Sequence, residues 1–117
     1  MNNSKYVIFA FQGNPVCFIH VLLNALDLHN NGQGGEIVLE GAAIKLIPEI
    51  SQPGHPLYAN YKKVKALGLF KTVCKACAVK LKLADAAQNA GLPLSGDMSG
   101  HPSMSSYIKQ GYTIITM

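Results

Sequence analysis

Cys74 and Cys77 form a Cys-Lys-Ala-Cys motif where a short apolar run, Thr72 and Val73, gives way to a helical pattern. Two sulfurs at that spacing can act as a redox pair or hold half of a zinc site. The form that attacks sulfur or binds metal is the thiolate, favoured beside lysines and at a helix amino end. Lys75 and Lys80 stand close by. With a helix beginning near Ala76, the Cys77 thiol would face unpaired backbone amides; otherwise it is a small buried hydrophobe. Cys77 is the preferred nucleophile. Cys74 is either its partner thiol or a core residue at the strand end.

Cys17 stands three residues before His20, hence next to it on a helix surface, where an imidazole can take a thiol proton or join a metal. A filler cysteine beside a solvated histidine is the simpler alternative. His101 follows the 95–100 loop Ser-Gly-Asp-Met-Ser-Gly, and loops at the edge of such folds often supply working side chains. Asp97 in that loop can orient His101 or simply make the turn. Cys17, Cys74, Cys77 and His101 could converge as a tetrahedral zinc or iron set, or three of them could hold a metal with one open position, although the Cys-x-x-Cys lacks a second pair. His55 reads as loop surface, His29 as a helix-end cation, and Met98 and Met104 as packing residues. Neither a phosphate-binding glycine pattern nor the nucleophile–base motif of a hydrolase occurs.

Positioning these residues requires alternating strands and helices. Residues 6–11 are a continuous apolar run, suited to a parallel strand covered on both faces. After the 12–15 turn, Asn14 can cap a helix with Pro15 in its first turn. Phe18, Ile19, Leu22, Leu23 and Leu26 share one helical face; His20, Asn24, Asp27 and Asn31 share the other. A second strand spans 36–40, a helical stretch over 42–50 carries Pro48, and 51–56 is a loop. Helical spacing resumes over 57–67 and stops at Gly68. The third strand lies within 69–76, with its following helix at 77–90. Residues 92–94 make at most a short fourth strand, 102–110 a short helix and 112–117 the last strand.

This alternation predicts one α/β domain over 1–117, a three-layer α/β/α sandwich around a five-stranded, mostly parallel sheet. The flavodoxin-like order 2-1-3-4-5 is expected, with strand 1 beside strand 3. That order would bring the 12–17 turn, and Cys17 with it, close to Cys74 and Cys77.

Of the 117 residues, 49% are hydrophobic and only 14% charged, which leaves apolar surface for an oligomer interface. The +4 net charge rests on lysines gathered between Lys62 and Lys82, with no arginine. That is a solvated basic face; without arginine's bidentate contacts, nucleic-acid binding is disfavoured. No stretch approaches the roughly 18 apolar residues of a membrane span. Met1 to Lys5 lead into strand-like residues without a signal-peptide pattern, so a cytoplasmic protein is expected. An odd count of three cysteines argues against a disulfide framework.

The order of elements resembles the DsrE/DsrF-like family of small sulfur-relay proteins over nearly the whole chain. The likeness is carried by the apolar first strand, the long first helix and the Val73-Cys-Lys-Ala-Cys-Ala78 segment, in which Cys77 is the better match to the active cysteine. Gly91-Leu-Pro and the terminal Gly111-Tyr-Thr-Ile-Ile strand also fit. Cys17, Cys74 and the proline-rich stretch at 48–56 depart from the pattern. The resemblance implies a five-stranded parallel sheet, a trimer or hexamer, and a sulfurtransferase-like carrier holding sulfur as a cysteine persulfide between donor and acceptor proteins, without a cofactor. Beside it stand the zinc or iron module and a non-catalytic oligomeric subunit whose cysteine site is idle.

Overall fold

Strand β1 (Lys5–Ala10) forms from the apolar run and leaves Val7, Ile8, Phe9 and Ala10 fully buried. It opens a computed structural model that describes residues 4–117; residues 1–3, on which part of the no-signal-peptide reading rests, lie outside the described residues. Helix α1 (Pro15–Asn30) starts as its cap chemistry requires: Asn14 Oδ1 accepts the Val16 N–H at 2.9 Å and Pro15 takes the first turn. Its inner face is Phe18, Val21, Leu22 and Ala25. Strand β2 (Gly34–Leu39) packs against it so closely that a Cβ on Gly35 would collide with Ala25 O. Only glycine fits there.

The helical stretch expected at 42–50 is two pieces, a 3-10 helix at Gly41–Leu46 and one turn of α2 at Ile47–Ile50. Pro48 lacks the N–H that a continuous helix would use, so it starts a new turn instead. Helix α3 (Tyr58–Ala66) and strand β3 (Phe70–Cys74) follow. The helix expected at 77–90 is also divided, into α4 (Lys75–Lys80) and α5 (Ala84–Asn89). Between them Lys82 has φ +60°, outside the right-handed helical region. Strand β4 (Leu94–Ser95), helix α6 (Met104–Lys109) and strand β5 (Tyr112–Thr116) complete the order.

All five strands are parallel, arranged β4-β3-β2-β1-β5. The three-layer α/β architecture is the one expected. The strand order is corrected: β1 lies between β2 and β5, and β2 separates it from β3. Burial accounts for the difference. Ile37, Val38 and Leu39 of β2 are sealed on both faces, as in an interior strand, whereas β5 has only half-buried and exposed residues, as an edge does.

The chain steps in one direction from β1 to β4, so right-handed crossovers stack α1 to α5 on one face. The return from β4 to β5 puts α6 on the other. Two cores result. Ile8, Ala10, Ile37, Leu39 and Val73 pack with the first five helices, while Val7, Phe9 and Val38 meet Tyr107, Tyr112 and Ile114. Tyr107 of α6 stands edge-on to Phe9 and to Tyr112, with ring centres 5.6 Å apart in both pairs. No helix of the described residues is long and apolar enough to cross a membrane.

Candidate functional site at the carboxyl edge of the sheet

Strands β2 and β3 end side by side, with Leu39 and Val73 as register partners, so Glu40 and Cys74 come next at the carboxyl edge. Cys74 is fully buried and caps α4, its Sγ accepting the Cys77 N–H at 3.4 Å. The helix therefore begins at Lys75, earlier than expected, and it is the Cys74 sulfur that caps it. Cys77 follows in the first turn, partly exposed. It lines a crevice of about 180 Å³ with Gly41, Ala42, Lys45, Lys80 and Leu81. Two lysines thus flank the Cys77 thiol in that crevice.

His101 arrives from the loop after β4. Met98 N–H donates to His101 O at 2.8 Å and His101 N–H returns to Met98 O at 2.9 Å, closing the loop on itself. Ala76 N–H donates to Gly100 O at 2.9 Å, which ties the loop to α4. Gly96 permits the closure, since a Cβ there would collide with Gly100 O and His101 N. The imidazole Nδ1 then stands 3.1 Å from Cys74 Sγ, 3.9 Å from Glu40 Oε1 and 4.0 Å from Cys77 Sγ. One ligand-type atom from each of Glu40, Cys74, Cys77 and His101 lies within 4.8 Å of the other three.

Burial pushes the Cys74 thiol up to about 12, with the nearby Cys77 and Glu40 charges adding to the rise and the Cys77 amide opposing it. At neutral pH it is protonated. Burial also lifts the Glu40 carboxyl above its ordinary value, against the pull of His101 and of the Cys74 thiol.

Of the residues singled out in the sequence, Cys74, Cys77 and His101 come together and Cys17 does not. Cys17 is exposed in the first turn of α1, the helix that follows β1. With β2 between them, β1 and β3 are two strand spacings apart, roughly 10 Å. Glu40 stands in the donor group where Cys17 was expected. The sequence signal for it is an acid directly after the apolar Ile-Val-Leu run. Asp97 does not orient His101; its Oδ1 accepts the Ser103 N–H at 2.9 Å and shapes the turn into α6. His20 is exposed, His29 lies in the last turn of α1, and His55 Nδ1 accepts the Leu57 N–H at 3.0 Å within its own loop. Met98 and Met104, expected to pack, are exposed instead. With Phe11 and Pro102 they wall an apolar recess of about 380 Å³ that also touches Glu40 and His101.

Accessibility divides the three thiols. N-ethylmaleimide is expected to label Cys17 and Cys77 in the folded protein, with Cys74 at least about tenfold slower because its thiol is buried and protonated. Peptide mass spectrometry reads the order. Equal labelling of Cys74 and Cys77 would show that the buried sulfur is open to solvent.

No family model matches the chain. It is 32% identical over 116 residues to MJ0733, an uncharacterized protein of Methanocaldococcus jannaschii, an alignment covering 96% of this chain and 93% of that protein. In three dimensions it is similar to BT1422 of Bacteroides thetaiotaomicron, a conserved protein of unknown function. The TM-score is 0.71 at 18% identity, over 97% of this chain and 95% of the other. At that identity the likeness speaks for the fold alone.

Proposed function

We propose that this chain, which belongs to the same family as the Methanocaldococcus jannaschii protein MJ0733, carries sulfur as a persulfide on Cys77. The observation behind this reading is the reachable Cys77 thiol in its lysine-lined crevice, with a second sulfur and an imidazole within 4.8 Å. The resemblance of the Val73–Ala78 segment to the DsrE/DsrF-like active-cysteine segment points the same way.

In the loading step, the Cys77 thiolate attacks the outer sulfur of a donor persulfide, R–S–SH. The donor S–S bond breaks, RS⁻ leaves with the bonding pair, and a new bond joins Cys77 Sγ to the transferred sulfur. Nothing is oxidised or reduced overall. His101 Nδ1, 4.0 Å from Cys77 Sγ, is the nearby base that can take the thiol proton. In the unloading step an acceptor thiolate attacks the outer sulfur and Cys77 leaves as thiolate. Exchange of this kind depends on thiolate fraction, nucleophilicity and access.

Cys74 acts in this reading as a resolving thiol. Its attack, as thiolate, on the Cys77 sulfur would break the persulfide S–S bond, form a Cys74–Cys77 disulfide and release the outer sulfur as HS⁻, the Cys74 sulfur being oxidised while the carried sulfur is reduced. Because Cys74 is buried and protonated, transfer to an outside thiolate is the faster route. The scheme needs no cofactor. It requires donor and acceptor proteins and a reducing compartment such as the cytoplasm, where free thiols persist.

A trimer or hexamer belongs to the same proposal. Exposed Phe11, Met98 and Met104 beside the site, and Ile108 on α6, are the apolar side chains available for such contacts. Size-exclusion chromatography with light scattering is expected to give three or six times the 12.5 kDa chain mass; a single-chain mass would remove the assembly from the proposal.

The chemical test is mass spectrometry of reduced protein after exposure to a low-molecular-weight persulfide donor. The expected product gains one sulfur atom on the peptide containing Cys77, and dithiothreitol removes it. An unmodified Cys77 after full exposure would overturn the reading.

A further inference from the structure

We infer that Glu40, Cys74, Cys77 and His101 are the four ligands of a site for a zinc-like divalent cation. The inference stands on the donor geometry and does not rest on the persulfide reading.

Two sulfurs, an imidazole nitrogen and a carboxylate oxygen form a mixed set suited to a borderline-soft ion. Magnesium and calcium take oxygen donors instead. Bond lengths of about 2.3 Å to sulfur and 2.0–2.2 Å to nitrogen or oxygen, set tetrahedrally, require ligand atoms roughly 3.3–3.8 Å apart. The observed separations from His101 Nδ1 are 3.1, 3.9 and 4.0 Å, and no pair in the group exceeds 4.8 Å. Shifts of an ångström or less in side-chain position close the tetrahedron.

The group is assembled by the tertiary fold rather than by one flexible motif. Glu40 comes from the end of β2, the two cysteines from the junction of β3 and α4, and His101 from the loop after β4. Each is held by backbone contacts outside the group. Glu40 N–H donates to Ala10 O at 2.9 Å, and the His101 loop is closed by the Met98 pair and tied to Ala76. The Cys77 N–H already points at Cys74 Sγ, the kind of outer hydrogen bond that orients a metal thiolate.

The surroundings fit as well. Glu40 and Cys74 are buried, yet among the described residues the only ion-pair partner found for the Glu40 carboxylate is His101 at 3.9 Å. A divalent ion between these groups would supply the missing positive charge. Partly exposed Cys77 and His101 provide the way in.

Bound metal would engage the Cys77 thiolate, so metal occupancy and sulfur loading would exclude each other. Four protein ligands leave no open position, and the metal-bound state would be a closed one.

The test uses the full chain, reduced and stripped of metal, titrated anaerobically with cobalt(II) and then zinc(II). The expected result is one equivalent of tetrahedral cobalt with a thiolate-to-cobalt absorption band, bleached by zinc and unaffected by magnesium. Glu40→Gln, Cys74→Ser and His101→Ala are each expected to weaken binding at least about tenfold, while Cys17→Ser binds like the parent. Circular dichroism verifies that each variant is folded, and Glu40→Gln keeps the side-chain shape should the others fail. No thiolate–cobalt band in the parent, or an equal band in folded Glu40→Gln, would overturn the inference. A sulfur adduct on metal-free protein without cobalt binding would overturn this inference alone; cobalt binding without the adduct would overturn only the persulfide reading.

Discussion

Cys77→Ser protein exposed to a persulfide donor is expected to gain no sulfur at residue 77, a loss of more than about 100-fold against the parent. The size of the effect follows from the chemistry: a serine hydroxyl neither ionises near neutral pH nor forms a stable link to sulfane sulfur. Cys17, exposed on α1 and outside the donor group, is the control, and Cys17→Ser is expected to load as the parent does. Cys74→Ser separates carriage from discharge. It keeps the carrier thiol but removes the internal route to a disulfide, so its adduct is expected to outlast the parent's when no acceptor thiol is present. Intact-mass and peptide measurements follow all three variants. Loss of the adduct in Cys17→Ser, or its persistence in Cys77→Ser, would place the chemistry elsewhere. Unaltered partner binding and sulfur traffic in Cys77→Ser would instead identify the idle interaction subunit.

Phe18→Ala is expected to lower stability by about 3–5 kcal/mol, the range for deleting a buried aromatic ring. Phe18 is fully buried on the inner face of α1, in the larger core with Ile8, Leu22 and Ile37. Truncation removes the ring's burial and leaves a cavity that a helix pinned at Asn14 and packed against Gly35 cannot collapse to fill. For a domain of this size the melting temperature would fall by roughly 10–20 °C. Leu23→Ala on the same helix is the comparison, since Leu23 is 47% exposed and its removal is expected to cost well under half as much. Urea and thermal denaturation followed by circular dichroism measure both. A cost below about 1 kcal/mol for Phe18→Ala would mean that α1 is not anchored through this residue.

Much of this chain was legible as local pattern. The apolar runs became β1, β2 and β3, because burial of both faces selects continuous hydrophobicity whatever the neighbours are. Asn14-Pro15 started α1 because cap chemistry acts within three residues. The Cys-x-x-Cys at a strand-to-helix junction carried its own spacing, so Cys74 and Cys77 had to be neighbours in any fold built on that junction. His101 could be suspected from a glycine-flanked loop at the same edge.

What the tertiary structure alone decided is who stands beside whom. An apolar strand does not name its partner, and both strand orders bury β1 on two faces. Seating β2 between β1 and β3 removed Cys17 from the thiol pair and delivered Glu40 to it. The divisions at Pro48 and Lys82 depend likewise on how the helices turn to reach the sheet. Local sequence determined the donors on β3 and α4; long-range strand pairing determined the carboxylate and the imidazole that meet them.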